Sequence, residues 1–310
     1  MSIMKFLTAK TLLLSITLLC SLAGAANAQT GTPMQVFTSV LPLKYFVERV
    51  GGQRVAVQVM VGPGRSPATY EPKPKQMTAL SQAQLYYRIG VPFEKVWMKR
   101  VATLNPAMEI IDLRQGLELR SLEHHHHHHT EEDQHEIERK APAKEEEKDP
   151  HLWTDPNLVK QMAERIRVTL TAVDPAGAED YQAGADSFTR DLDNLDRTIR
   201  RQLMNLKKRS FLVFHPSWGY FAAAYDLQQV AVEASGKEPG PRALADIIQQ
   251  AKDNHISVIF VQQQFSRTTA ATIARAIDGR VVAIDPLAED YLANMRRTAE
   301  AFARSLEISL

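Results

Sequence analysis

One stretch constrains the fold of this chain more than any other. Between Ala178 and Lys208 the apolar residues Phe188, Leu192, Leu195, Ile199 and Leu203 recur at three- and four-residue spacing, with no proline among them. That is the stripe of an amphipathic helix. It predicts one helix of about 30 residues, against an average of about 11–12. The alternative is two helices breaking near Gly184. A helix that long can run the length of two domains as a stiff spine, so the sequence on either side is read as two bodies.

Both flanks carry the same alternation. Before the spine, strand signals at 35–40, 54–61, 85–89 and 108–113 are separated by helical signals at 43–50, 73–84 and 92–103. After it, strand signals at 210–214, 229–233, 256–261 and 281–284 are separated by helical signals at 218–225, 242–254 and 268–277, and a last helix spans 288–306. Strands joined through helices make parallel sheets. The predicted class is α/β, with two parallel-sheet domains at 29–177 and 209–310 joined by the helix at 178–208. The chain is long enough for two domains of roughly 120 residues each.

Residues 1–28 read as a cleavable export signal. Lys5 and Lys10 precede an uncharged apolar run from Thr11 to Leu22, and Ala26-Asn27-Ala28 is a small-x-small cleavage site. The run is too short for a membrane span, which needs roughly 20 residues. The single cysteine, Cys20, falls inside this segment, so the mature chain has neither disulfides nor Cys-ligated zinc. Removing the leader takes two lysines from a chain of formal net charge +1. A nearly neutral chain lacks the basic footprint of a nucleic-acid binder. Residues 121–148 contain His124 to His129, His135 and mixed charges, with almost no apolar residues. Such a composition cannot offset ordering entropy and predicts a disordered loop.

Ten histidines are present, seven of them in that loop. His151 lies between two Asp-Pro steps, in Asp149-Pro150-His151-Leu152-Trp153-Thr154-Asp155-Pro156, and reads equally as a ligand or as a packed turn residue. His215 ends the apolar strand Phe211 to Phe214, where open α/β sheets bind ligands. Asp285 ends the strand 281–284 and reads equally as a ligand or as a cap for the next helix. His255, at a helix end, reads as structural. Two imidazoles and a carboxylate suit zinc, although cobalt, nickel and copper also accept imidazole.

These blocks resemble the metal-binding receptors of ABC transporters known as cluster A-I, and within them the zinc-uptake solute-binding proteins. The matching segments are Gly62 to Pro72, Asp149 to Pro156, Phe214 to Phe221, Gln264 to Ser266 and Asp285 to Leu287. The resemblance implies a metal site in the interdomain cleft, with His151 from one domain and His215 and Asp285 from the other. It also implies zinc as cargo, since manganese-preferring relatives tend to have a carboxylate at position 215. The family usually has a histidine where this chain has Ala68, and often a glutamate where it has Gln262. A water or Glu71 is the expected substitute for the missing first ligand, ahead of Tyr70 or a loop histidine.

The implied protein is a monomeric periplasmic receptor, not an enzyme, that binds Zn2+ and delivers it to the permease of an inner-membrane ABC importer. The loop histidines (His124, His125, His126, His127, His128, His129, His135) are expected to be auxiliary zinc ligands that raise its local concentration. The run resembles a purification tag, but family-like sequence continues beyond it, so it is read as native. The rival readings are a zinc buffer or sensor of the same fold, a manganese or iron receptor, and a zinc hydrolase. The hydrolase has only Glu71 as a base and no HExxH signature. Histidine ligation predicts that affinity falls below about pH 6.5.

Overall fold

A computed structural model describes residues 32–122, 147–233, 238–265 and 267–307. The export signal and all seven loop histidines lie outside the described residues. Among the described residues no helix is long and apolar enough to cross a membrane.

The N-terminal lobe is built from β1 (Met34–Val40), α1 (Leu41–Gly51), β2 (Val55–Val61), α2 (Pro74–Leu80), β3 (Leu85–Arg88), α3 (Pro92–Leu104) and β4 (Glu109–Asp112). Then come α4 (Pro156–Val173) and the spine, α5 (Ala178–Leu203). The C-terminal lobe contains β5 (Ser210–Val213), α6 (Gly219–Ala224), β6 (Gln228–Ala231), α7 (Pro241–Asp253), β7 (Val258–Val261), α8 (Arg267–Ala276), β8 (Arg280–Ala283) and α9 (Tyr291–Glu307).

Each lobe has a four-stranded sheet, ordered β2-β1-β3-β4 in one and β6-β5-β7-β8 in the other. All pairings are parallel, for example Val36 with Val57 and with Leu85, and Leu212 with Val230 and with Ile259. Parallel neighbours require crossovers, and the helices that make them bury both faces of the sheet. The alternation along the central strands follows from this. Phe211, Val213, Val258 and Phe260 enter the large core shared with the spine. Leu212, Phe214, Ile259 and Val261 enter a second core on the opposite face.

The spine is one helix of 26 residues. Its stripe of Tyr181, Ala185, Phe188, Leu192, Leu195, Ile199 and Leu203 is buried as the spacing requires. It ends at Leu203, its last buried apolar position, where Met204 turns out to solvent. Gly184 does not break it. A Cβ there would lie 2.4 Å from the Val50 carbonyl oxygen, so the residue allows the end of α1 to pack directly on the spine. Arg49 fixes the crossing with a 2.7 Å ion pair to Asp191.

The large core runs without interruption from the N-terminal lobe through the spine to one face of the C-terminal sheet. Phe302 of α9 closes it, with ring centroids 4.4 Å from Phe260 and 4.6 Å from Phe211. Polar contacts also cross between the lobes. Trp153 Nε1 donates to the Pro286 carbonyl at 2.8 Å, and Tyr220 OH donates to the Asp149 carbonyl at 3.2 Å. A large apolar interface restrains relative domain motion.

Candidate metal site

In both sheets the strand order reverses beside the first strand of the lobe, between β1 and β3 and between β5 and β7. Ligands of open α/β sheets bind outside the carboxyl ends at such reversals. One cavity collects residues from these ends: Ser66, Pro67 and Ala68 beyond β2, Gly90, Val91 and Pro92 beyond β3, His215 beyond β5, and Gln262, Gln264 and Phe265 beyond β7. Pro150, His151 and Trp153 complete it from the turn before α4, and Pro286 and Leu287 from beyond β8.

His151 is held by a short-range device. The carboxylate of Asp149 accepts from the His151 backbone N–H at 2.9 Å, and its Oδ1 also lies 2.6 Å from the ring Nδ1. Asp155 then caps α4, accepting from Asn157 N–H at 2.8 Å. His215 is held by a longer-range one. Its Nδ1 lies 2.9 Å from Oε1 of Glu233, beyond β6. An ionised carboxylate only accepts. Each Nδ1 therefore carries a hydrogen, which in a neutral ring leaves the lone pair on Nε2. This carboxylate–imidazole pairing is what orients histidine ligands in metal sites. The two ring centroids are 5.3 Å apart at 77°. Trp153 meets His151 edge-on at 5.2 Å, and Phe265 stacks on His215 at 5.0 Å and 17°.

Burial pushes the His151 imidazole below its ordinary pKa, with the Asp149 carboxylate opposing that shift. The ring is thus kept neutral, the form that binds metal. Burial pushes the Asp285 carboxyl upward, against the Leu287 N–H that it accepts.

The structure brings His151 and His215 together. Asp285 lines a neighbouring cavity with Asn294, Arg297 and Thr298, and accepts from Leu287 N–H at 2.9 Å. Glu71 lines a third cavity, with Arg65, Tyr70 and Lys73. Among the described residues no group of three or more His, Cys, Asp or Glu side chains is placed to hold a metal. His255 stands at the end of α7 with a positive φ of 52°, away from the cavity.

Four supporting residues were given no role in the sequence. Asp149, two positions before His151, was legible as an Asp-x-His turn. Glu233 carried a weaker signal, its place just past a strand. Gln262 joins β5 to β7: its Oε1 accepts from His215 N–H at 3.3 Å, and its Nε2 donates to the His215 carbonyl at 2.8 Å and to Ser217 Oγ at 2.7 Å. Tyr220 reaches from the opposite lobe to the Asp149 carbonyl, and accepts from Arg120 N–H at 3.0 Å. Gly219 beside it has a packing reason, since a Cβ there would lie 3.0 Å from Asp149 Oδ2.

The two flanks of the histidine-rich segment meet at the same cavity. Leu122 N–H donates to the Glu147 carbonyl at 2.8 Å and Asp149 N–H to the Arg120 carbonyl at 2.9 Å, and Leu122, Glu147 and Lys148 line the cavity.

A family profile described as zinc-uptake complex component A, periplasmic, matches residues 36–305. The fold is similar to that in a crystal structure of ZnuA, with a TM-score of 0.80 and 36% identity over 88% of this chain and 99% of the other. Among relatives, the zinc-binding lipoprotein AdcA of Streptococcus pneumoniae is 25% identical over 96% of this chain, which spans only 60% of AdcA. The manganese-binding lipoprotein MntA of Halalkalibacterium halodurans is 25% identical over 93% of each chain. Two α/β lobes on a long helix, together with these likenesses, define a class: the metal-binding solute receptors of ABC-type importers. Within it, the chain belongs to the family of periplasmic component A of zinc-uptake complexes.

Proposed function

We propose that the protein captures zinc outside the cytoplasm and passes it to the permease of an ABC-type importer. His151 and His215 are the neutral donors, bound through Nε2. Asp285 is the proposed carboxylate ligand, since the two residues that follow it line the imidazole cavity.

The observation that carries this reading is the geometry of the imidazole pair. The two rings stand 5.3 Å apart in one cavity, and each has its Nδ1 held by a buried carboxylate, Asp149 for His151 and Glu233 for His215. Donor chemistry favours it too, since manganese suits carboxylate and water while imidazole suits zinc.

The test is chelator competition on the full chain with zinc and with manganese. Zinc should bind orders of magnitude more tightly, and both His151→Ala and His215→Ala should abolish the tight site. Tighter manganese binding, or a cleft that tolerates both substitutions, would refute the reading. The histidines of residues 123–146 are proposed as weak auxiliary sites, because that segment leaves and re-enters the fold at the cavity rim.

A further inference from the structure

We propose that Phe265 is a positioning residue for the zinc site: by lying flat against the His215 ring it holds that imidazole in place and slows zinc release. The inference rests on the zinc reading above and deepens it, by naming a residue that sets how fast the ion leaves.

A zinc held by two imidazoles leaves once one ring turns away, and the less restrained ring turns first. His151 is the more restrained of the two. Its side chain is 11% exposed, Asp149 holds both its backbone N–H and its Nδ1, and Trp153 meets it edge-on. The His215 side chain is 23% exposed, and Oε1 of Glu233 holds its Nδ1. A hydrogen bond at one ring nitrogen fixes an edge of the ring. It does not by itself fix the plane.

Phe265, which lines the same cavity, fixes the plane. Its ring lies 5.0 Å from the His215 ring at 17°, within the offset-stacked range that aromatic pairs prefer. Phe265 is backed in turn by Phe214, 5.5 Å away at 35°, and packs against the second core of the C-terminal lobe. Gln262 ties the two stacked residues together. Its carbonyl accepts from Phe265 N–H at 3.2 Å, while its side-chain amide bonds the His215 N–H and carbonyl. The stack is therefore assembled from the ends of β5 and β7, and the His215 ring turns only by parting from Phe265. Aromatic pairs contribute enough to slow such a step about two- to tenfold.

The test is zinc release from the zinc-loaded full chain into excess chelator, followed by stopped flow, with association measured separately. Phe265 is only partly buried, so its variants should fold. Phe265→Leu and Phe265→Met keep an apolar side chain beside His215 and lose the flat face. Both should release zinc about two- to tenfold faster, with association changed by less than about twofold. Phe265→Tyr keeps the stack and should release zinc at the parent rate. NMR of the metal-free chain reads the stack without zinc. The His215 ring-proton signals should move in Phe265→Leu, through loss of the neighbouring ring current, and stay near their parent positions in Phe265→Tyr.

Release at the parent rate in Phe265→Leu and Phe265→Met would overturn the proposal. So would Phe265→Tyr releasing as fast as those two, which would make Phe265 a packing residue only. His215 signals that ignore Phe265→Leu, or affinity lost through slower association alone, would overturn it as well. In these cases the zinc reading stands. If instead His215→Ala holds zinc as tightly as the parent chain, the zinc reading falls and takes this inference with it.

Discussion

Replacing Asp149 by Asn keeps the shape of the side chain and removes its charge. Asp149 is buried and holds the His151 backbone N–H at 2.9 Å and the ring Nδ1 at 2.6 Å. The amide oxygen of Asn can still accept, so the turn should persist. What is lost is charge assistance to the Nδ1–H bond, which tightens when Nε2 donates to a metal. Hydrogen bonds to charged groups contribute about 1.5–3 kcal/mol net and neutral ones about 0.5–1.5. The difference, on the order of 1–1.5 kcal/mol, is about a tenfold loss of zinc affinity, at the low end of the 10–100-fold typical of such partners. The carboxylate also opposes the burial that lowers the His151 pKa. Its removal should lower that pKa further and move the acid limb of zinc binding to lower pH. Chelator competition across pH measures both effects. Unchanged affinity at neutral pH, or an acid limb moved upward, would refute the argument that Asp149 makes His151 a better ligand.

Gly219→Ala should loosen the same pair, because the new Cβ lies 3.0 Å from Asp149 Oδ2 and Asp149 has to shift; zinc affinity should drop while urea unfolding changes little. Leu192→Ala opens a cavity in the buried spine stripe and should cost about 2–5 kcal/mol in denaturant unfolding, with the zinc stoichiometry of the folded fraction unchanged. The metal-free chain should lose stability as pH falls below about 6.5. Burial lowers the native His151 pKa, so the unfolded chain takes that proton first and gains by at most about 1.4 kcal/mol per pH unit; comparing urea midpoints with those of His151→Gln should show this slope flattened in the variant.

What the sequence disclosed follows from the range of the interactions involved. The spine was legible because its stripe repeats every three or four residues, and the strands because β-branched runs alternate with helical ones. His151 and His215 stood out because each lies in a distinctive local block, one between two Asp-Pro steps and the other at the end of an apolar strand. The partners that orient the two rings were harder to read. Glu233 meets His215 across 18 positions, Gln262 across 47, and Tyr220 reaches Asp149 across 71. Each contact exists only once parallel strands lie side by side or the lobes meet. Asp285 shows the opposite difficulty. Ligand and cap are both local readings of an Asp-Pro step, and the Leu287 N–H on its carboxylate is a contact within its own turn. The spine stopping at Leu203 follows from side-chain burial, which helix propensity alone does not report.

The most direct measurement is zinc K-edge absorption spectroscopy on the zinc-loaded chain without residues 123–146. The Leu122–Glu147 hydrogen bond of 2.8 Å leaves flanks that a short turn can join. One zinc per chain is expected, with two imidazole nitrogens at about 2.0–2.1 Å that vanish in the His151→Ala, His215→Ala double variant. A zinc without imidazole scattering, or a shortened chain that holds no zinc, would contradict it.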